Sequence, residues 1–233
     1  MTKLSWDDTG ERFYETGVDR GVLYPKTGDN GAYDTGIAWN GLTGVTENPS
    51  GAEETALWAD NIKYLSLYSA EEFGCTIEAY TYPDEWAQCD GSAEIAEGVM
   101  AGQQNRVGFG MAYRTILGND AQHNDYGYKI HLIYGAMASP SSKSYATVND
   151  SPDAITFSWE VKTVPEKFED DTFKPTASLV IDSSKCDKDA LEDLEDILYG
   201  SATAEPRLPL PDEVIDIMSG ASGESGESGE SGE

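Results

Sequence analysis

The sequence is poor in basic residues, in histidine and in cysteine. Only 15 Lys and Arg stand against 43 Asp and Glu, which gives a formal net charge of −28 at pH 7. This balance argues against a protein that grips nucleic-acid phosphates or anionic membranes, because both partners would be repelled. The three cysteines lack C-x-x-C spacing, so the sequence encodes neither a disulfide framework nor a zinc site. A reducing compartment fits best.

Long hydrophobic runs are absent as well. No stretch approaches the roughly 18 apolar residues that a membrane-spanning helix requires. Residues 1–8 carry acidic side chains where a signal peptide has an apolar run. We therefore expect a protein that is made in a cytosol and stays there until lysis, with no membrane partner.

Motifs for catalysis or metal binding are missing from the sequence. The two histidines, His123 and His131, lack metal-ligand spacing and lie in a polar loop pattern and a strand pattern. A nucleophile elbow, a phosphate-binding loop and a dinucleotide fingerprint are all lacking. Acidic pairs such as Asp7-Asp8 are too frequent in this chain to single out an acid/base dyad. We predict that the protein is not an enzyme and takes no cofactor and no metal.

What the sequence does contain is a series of strand patterns. Apolar residues make up 39% of the chain and aromatic residues 10%, which is enough for a folded core. The segment 72–79 alternates apolar and polar side chains and predicts a half-buried strand whose exposed face is acidic. Strands are predicted at 37–46, 57–60, 62–68, 73–82, 106–117, 126–138 and 155–164.

Two longer elements stand out from this background. The segments 106–117 and 126–138 predict a long hairpin around the polar stretch 118–125. Residues 187–199 have an apolar stripe opposite an acidic one and predict an amphipathic helix that ends at Gly200 and covers a sheet. A single helical turn at 83–88 and a short helix at 212–218 are also predicted.

The composition divides the chain into four parts. Residues 1–35 combine a short strand candidate at 21–24 with turn-rich sequence and predict an extended N-terminal arm, or alternatively a surface loop of the main domain. Residues 36–200 form the β domain with its C-terminal helix. Residues 201–218 are a Pro-rich extension, and residues 219–233 predict a flexible tail of Ser-Gly-Glu repeats.

Several stretches of the sequence are informative because each is much longer than a short motif. They are 16–25 (TGVDRGVLYP), 33–53 (YDTGIAWNGLTGVTENPSGAE), 57–99 (LWADNIKYLSLYSAEEFGCTIEAYTYPDEWAQCDGSAEIAEGV), 102–120 (GQQNRVGFGMAYRTILGND), 126–136 (YGYKIHLIYGA) and 144–161 (SYATVNDSPDAITFSWEV). With the helix end ILYG at 197–200, they span most of residues 16–200. In these stretches the chain resembles the major tail proteins, or tail tube proteins, of siphophages that infect Gram-positive bacteria.

The resemblance implies a mainly β tail tube fold: a β-sandwich or partial barrel with a flanking α-helix, a long hairpin and an extended N-terminal arm. It implies hexameric rings of identical subunits that stack into a tube, with a negative lumen through which DNA passes without specific binding during ejection. The implied partners are further copies of the chain and the tape measure, tail terminator and distal tail proteins. The implied location is the virion tail, assembled in the host bacterial cytoplasm.

Candidate residues follow from combining the patterns with the resemblance. The exposed face of the 72–79 strand supplies the candidate lumen residues Glu72, Thr76 and Glu78. Candidate contacts between subunits or rings are Val22, Leu23, Tyr24, Asn119, Asp120, His123 and Asp125. Two other classes of function stay open: a soluble β-sandwich that binds carbohydrate or protein through exposed aromatic residues, and a hydrolase that uses two carboxylates.

Overall fold

A computed structural model describes residues 4–27, 31–148, 153–170 and 172–220. The fold is mainly β, and its main feature is an eight-stranded antiparallel sheet that is not closed into a barrel. The prediction of a mainly β fold with a flanking helix is confirmed. From residue 221 onwards, the predicted flexible tail lies outside the described residues.

The described elements follow the chain in a simple order. The strands are β1 (Phe13–Pro25), β2 (Ile37–Trp39), β3 (Leu42–Glu47), β4 (Ser50–Gly51), β5 (Glu54–Ala59), β6 (Ile62–Tyr68), β7 (Glu71–Glu72), β8 (Gly74–Ala79), β9 (Ala93–Ala96), β10 (Val99–Ala101), β11 (Phe109–Asn119), β12 (His123–Ala138), β13 (Phe157–Thr163) and β14 (Ser178–Asp182). The helices are α1 (Trp86–Cys89), α2 (Lys188–Tyr199) and α3 (Pro211–Met218).

The main sheet has the strand order β2-β1-β11-β12-β13-β8-β3, and β14 pairs with β12 outside this path. Strand β12 changes partner along its length: residues 129–133 pair with β14, and residues 136–138 pair with β13. The change occurs at Gly135, whose φ is +56° and where a Cβ atom would lie 2.0 Å from the carbonyl oxygen of Val164. Glycine therefore permits β12 to change its partner strand at this position.

Two hydrophobic cores lie on opposite faces of this sheet. The first core is on the inner face and is built around Trp39, Trp86 and Trp159, whose ring centroids are 4.7 to 5.8 Å apart. The second core lies between the outer face and the helices α2 and α3. Helix α2 begins at its N-cap Asp187, whose side chain accepts hydrogen bonds from two backbone N–H groups of the first turn.

The N-terminal region differs in one respect from the sequence prediction. Residues 13–25 form β1, which pairs with β11 along its whole length, whereas only 21–24 was expected to be a strand. Register shifts between residues 16 and 22 interrupt the alternation of side chains, and Gly17 and Arg20 have positive φ values of 66° and 48°. Because of these bulges, the segment lacks the regular alternation of side chains by which a strand is predicted from sequence.

The C-terminal extension packs on the rest of the fold. Leu208, Val214 and Ile217 are buried in the second core. The hydroxyl of Tyr134 donates a hydrogen bond to the carbonyl oxygen of Pro209 at 3.0 Å. The extension therefore completes a core that α2 covers only in part.

Candidate assembly surfaces

The hairpin β5–β6 is an excursion of the chain between the sheet strands β3 and β8. Each of the four pairings from β11 to β3 is antiparallel, so β3 and β11 run in the same direction. The chain leaves β3 at Glu47, forms the hairpin and returns at Gly74 to begin β8. The hairpin therefore leaves β3 in the direction in which β11 runs toward its turn with β12, and the end of β3 lies beside Tyr113 in the middle of β11.

One face of this hairpin is apolar and exposed. Leu57 pairs directly with Leu65, and Leu67 follows on the same side of β6. The exposed fractions of these three residues, which we call the leucine face, are 41%, 48% and 50%. No residue of the hairpin belongs to either of the two cores. A two-stranded hairpin is marginally stable in water, so this face favours contact with another surface.

Polar contacts hold the two strands of the hairpin together. The Glu54 carboxylate accepts hydrogen bonds from Lys63 Nζ and from the Ser66 hydroxyl. The bond from Lys63 lowers the pKa of Glu54 below its usual range. Trp58, Tyr64 and Tyr68 are each about 70% exposed on the same hairpin.

The turn between β11 and β12 is fixed to the N-terminal segment of the chain. Asn119 is buried; its Nδ2 donates to the carbonyl oxygen of Gly10, and its Oδ1 accepts from the backbone of residues 121 and 122. Asp120 Oδ1 accepts hydrogen bonds from the N–H groups of Gly10 and Arg12, at 3.0 and 3.3 Å. These two predicted contact residues thus bind a segment of their own chain.

The other two predicted contact residues at this turn are exposed. His123 and Asp125 lie at the start of β12, and His123 has a positive φ of 51° that the tight turn requires. Phe13 and Tyr14 are also exposed here, and the Tyr14 hydroxyl donates to Asn124 Oδ1 at 2.8 Å. Contact of His123 and Asp125 with another subunit stays a prediction.

The predicted contact residues Val22, Leu23 and Tyr24 lie in the interior. Their exposed fractions are 6%, 0% and 0%, and the Tyr24 hydroxyl donates to the carbonyl oxygen of Leu198 at 2.7 Å. Val22 and Tyr24 face the second core, and Leu23 faces the first. Their side chains are used within the chain, because β1 is an inner strand of the sheet rather than a free arm.

The outer face of β3, β8 and β13 is polar. Thr76 of β8 lies opposite Glu160, and Glu78 lies opposite Ser158. The inward residues of β8, Cys75, Ile77 and Ala79, are buried, as the predicted alternation requires. Thr76 and Glu78 therefore share the expected exposed side of one strand.

The third candidate lumen residue, Glu72, is separate from this strand. It belongs to the short strand β7, and Phe73 lies between it and β8. Glu72 and Thr76 both border a groove of about 650 Å³ that extends over the polar face as far as Glu160 and Lys162. The structure thus brings the three candidates to one surface through two different strands. Their position in a lumen stays a prediction.

The thiol groups offer no activated nucleophile. Cys75 and Cys89 are buried, and burial raises the pKa of each to about 12, which disfavours the thiolate. Within residues 4–27, 31–148, 153–170 and 172–220, no three His, Cys, Asp or Glu side chains come together as a metal site. The longest described helix, α2, has 12 residues, and nothing helical in the described part of the chain has the length and apolarity of a membrane span.

Comparisons with known proteins find matches among solved structures and none among family models or curated sequences. Neither a protein-family model nor a curated protein sequence matches this chain. Solved structures do match, among them a chain in the cryo-EM structure of the baseplate of the anti-feeding prophage, determined with six-fold symmetry. The match has a TM-score of 0.35 and 10% sequence identity, and it covers 76% of this chain and 97% of the other.

Proposed function

We propose that this chain is a structural subunit of a phage tail, which assembles with its own copies into hexameric rings that stack as a tail tube. The observation that carries the proposal is the leucine face of β5–β6, which is exposed and contacts neither core of its own subunit. Burial of such a face against another copy removes apolar surface from water at about 25 cal/mol per Å². The hexameric rings and their stacking into a tube are taken from the sequence resemblance across residues 16–200.

The proposed contact is head-to-tail rather than that of a closed dimer: the leucine face of one copy binds a different surface on the next copy. Head-to-tail contacts close into rings or continue as filaments, depending on the rotation between copies. A tube made of stacked rings requires both: contacts that close within each ring, and contacts that continue from one ring to the next.

The polar face supports a role as the wall of a DNA conduit. In this proposal Thr76, Glu78 and Glu160 face the lumen, and the charge of −28 keeps the subunit from binding the phosphate backbone. The tape measure protein would occupy the lumen before ejection, and terminator and distal tail proteins would close the two ends.

Electron microscopy of the purified chain at high concentration tests the assembly. We expect rings or tubes from the wild type, and isolated subunits from L57S/L65S. The matched control is I215S, because Ile215 is 43% exposed on α3, close to the 41% of Leu57, and lies outside the hairpin. Monomers under all conditions, or equal assembly of all three proteins, would contradict the proposal.

A second experiment tests the conduit. We expect wild-type tubes not to retain a short DNA duplex, whereas tubes of E78K/E160K retain it in a salt-dependent manner. E192K serves as the control, because Glu192 is exposed on α2, away from the polar face. Equal retention by the two variants would mean that the polar face does not line the tube.

An alternative function, a carbohydrate-binding or protein-binding module, rests on the exposed aromatic residues of the hairpin. Trp58, Tyr64 and Tyr68 could stack on sugar rings, as exposed aromatic side chains do at many binding surfaces. A glycan array with the monomeric chain distinguishes the two functions. Specific binding that is lost in W58A, without any assembly of the wild type, would favour the module.

A further inference from the structure

His131 of β12 lies where side chains from three other strands meet. Its ring is stacked on Tyr113 of β11, with centroids 4.6 Å apart and an interplanar angle of 6°. Its side chain is 12% exposed. Glu15 of β1 lies on one side, 3.6 Å from Nε2, and Glu47 at the end of β3 lies on the other, 3.6 Å from Nδ1. The imidazole is therefore enclosed between two carboxylates from different strands.

The hydrogen bonds around His131 determine which nitrogen carries the proton. The Thr115 hydroxyl donates to Glu15 Oε1 at 2.5 Å, so its oxygen is free to accept a hydrogen bond from Nε2–H, 3.0 Å away. The neutral ring is then protonated at Nε2, and Nδ1 carries a lone pair. Nδ1 is buried and has no hydrogen-bond partner, although Glu47 is close to it.

The burial of His131 and the charged groups around it set the direction in which its pKa is shifted. Burial lowers the pKa of His131 and outweighs the opposite effects of Glu47 and Glu15. Lys129 of β12, which donates to Glu15 at 2.5 Å, lowers this pKa further. Burial raises the pKa of Tyr113 and also that of Cys75, so both keep their protons. The imidazole is thus neutral at neutral pH and binds a proton on acidification.

We infer that proton uptake at His131 Nδ1 creates a charge-assisted contact with Glu47, which ties the end of β3 to β12. In the neutral state the hydrogen bond from the Tyr113 hydroxyl, 3.1 Å long, holds the Glu47 carboxylate. In the charged state Nδ1–H adds a second donor to the same oxygen. Glu47 is the last residue of β3, so this contact acts on the segment that leads to β4, which pairs with β7 at the base of the β5–β6 hairpin.

The coupling works in both directions. If Glu47 in its observed position raises the proton affinity of His131 by some factor, then protonation of His131 favours that position of Glu47 by the same factor. Any partner that moves the hairpin base would therefore change proton binding at His131. The inference needs no assembly and can be tested on the isolated chain, so its failure and that of the proposed tube are separate results.

NMR titration of the two histidines is the first test. The exposed His123 provides an internal reference in the same spectra. We expect the Nε2–H tautomer of His131 at pH 7.5, and in E47Q a pKa for His131 lower by about 0.5 to 1 than in the wild type. E47Q keeps an oxygen that accepts from Tyr113. E53Q, which changes an exposed acid beyond β3, should leave this pKa unchanged. An Nδ1–H tautomer, or equal values in wild type and E47Q, would overturn the inference.

Hydrogen exchange of the backbone is the second test. A change in pKa of this size corresponds to a change of about threefold to tenfold in the local opening equilibrium. After correction for intrinsic rates, we expect residues 45–49 of the wild type to be protected by that factor more at a pH below the His131 pKa found in the NMR titration than at pH 7.5. H131Q should show no such difference. Equal pH dependence in wild type and H131Q would refute the link between His131 and the end of β3.

Discussion

Leu208 lies directly on the backbone of Gly110: a Cβ atom at position 110 would be 2.2 Å from Leu208 Cδ2. The same atom would lie 3.0 Å from the ring of Tyr33 and 3.2 Å from the carbonyl oxygen of Ile133. Leu208 is 4% exposed in the second core, so a shift of its side chain disturbs the packing there. A residue of the C-terminal extension thus depends on the absence of a side chain in β11.

Substitution of Gly110 by alanine should therefore destabilise the protein. We expect G110A to lower the free energy of unfolding by about 1 to 3 kcal/mol, the usual cost of an overpacked core. Urea unfolding monitored by tryptophan fluorescence measures this value. G102A is the control, because a Cβ atom at Gly102 meets no atom within 4 Å. A similar loss in both variants would show that Leu208 does not restrict position 110.

Removal of the C-terminal extension should expose the second core. A chain that ends at residue 200 lacks Leu208, Val214 and Ile217, and full burial of each such side chain contributes about 1.5 to 3 kcal/mol. We expect this chain to be insoluble or to melt at a much lower temperature. A chain that ends at residue 220 keeps these contacts and should melt like the wild type. Equal melting temperatures for all three chains would contradict the packing described above.

The ion pair between Asp19 and Arg114 should contribute stability that depends on pH. Arg114 donates to both Asp19 oxygens at 2.7 Å, and this lowers the pKa of Asp19 below that of the unfolded chain. The contribution is therefore present above pH 4 and is lost as the pH falls through the lower folded-state pKa.

Because the Asp19 side chain is 38% exposed, solvent screening limits the effect to about 1 kcal/mol. We expect D19N to be less stable than the wild type at pH 7, with a smaller difference at pH 2.5, in urea titrations at both values. D125N alters an exposed acid that is in none of the described ion pairs, and it should change little. A difference for D19N that is constant with pH would rule out this linkage.

The three cysteines should differ in reactivity. Burial raises the pKa of Cys75 and Cys89 to about 12, whereas Cys186 is partly exposed near the start of α2. With a thiol reagent at pH 8, we expect one thiol to react early and the other two only on unfolding. C186S should remove the early reaction. An early reaction that persists in C186S would mean that the first core opens easily.

Local patterns in the sequence were sufficient for elements that depend on near neighbours. The apolar stripe, the acidic stripe and Gly200 predict a helix over 187–199, and α2 spans Lys188–Tyr199 with Asp187 as its N-cap. The alternation in β8 correctly gave its buried and exposed sides. In both elements, each side chain faces the direction set by the helical or strand period, so the linear pattern is preserved in space.

Other features depended on contacts between residues far apart in the chain. The predicted strand 37–46 is divided into β2 and β3 at Gly41, whose φ is +79° and where a Cβ atom would lie 2.7 Å from Thr81. The burial of Val22, Leu23 and Tyr24 results from pairing of β1 with β11, about 90 residues later. Neither relationship can be predicted from short-range periodicity in the sequence.

The sequence by itself determined the acidic charge, the mainly β composition and the amphipathic helix. Only the tertiary structure decided that the N-terminal segment is an inner strand and that the C-terminal extension is part of a core. It also brought His131 between Glu15 and Glu47 and left the leucine face without a partner in its own core. The physical reason is that burial and charge proximity depend on which distant segments pair, whereas period and composition are properties of the chain itself.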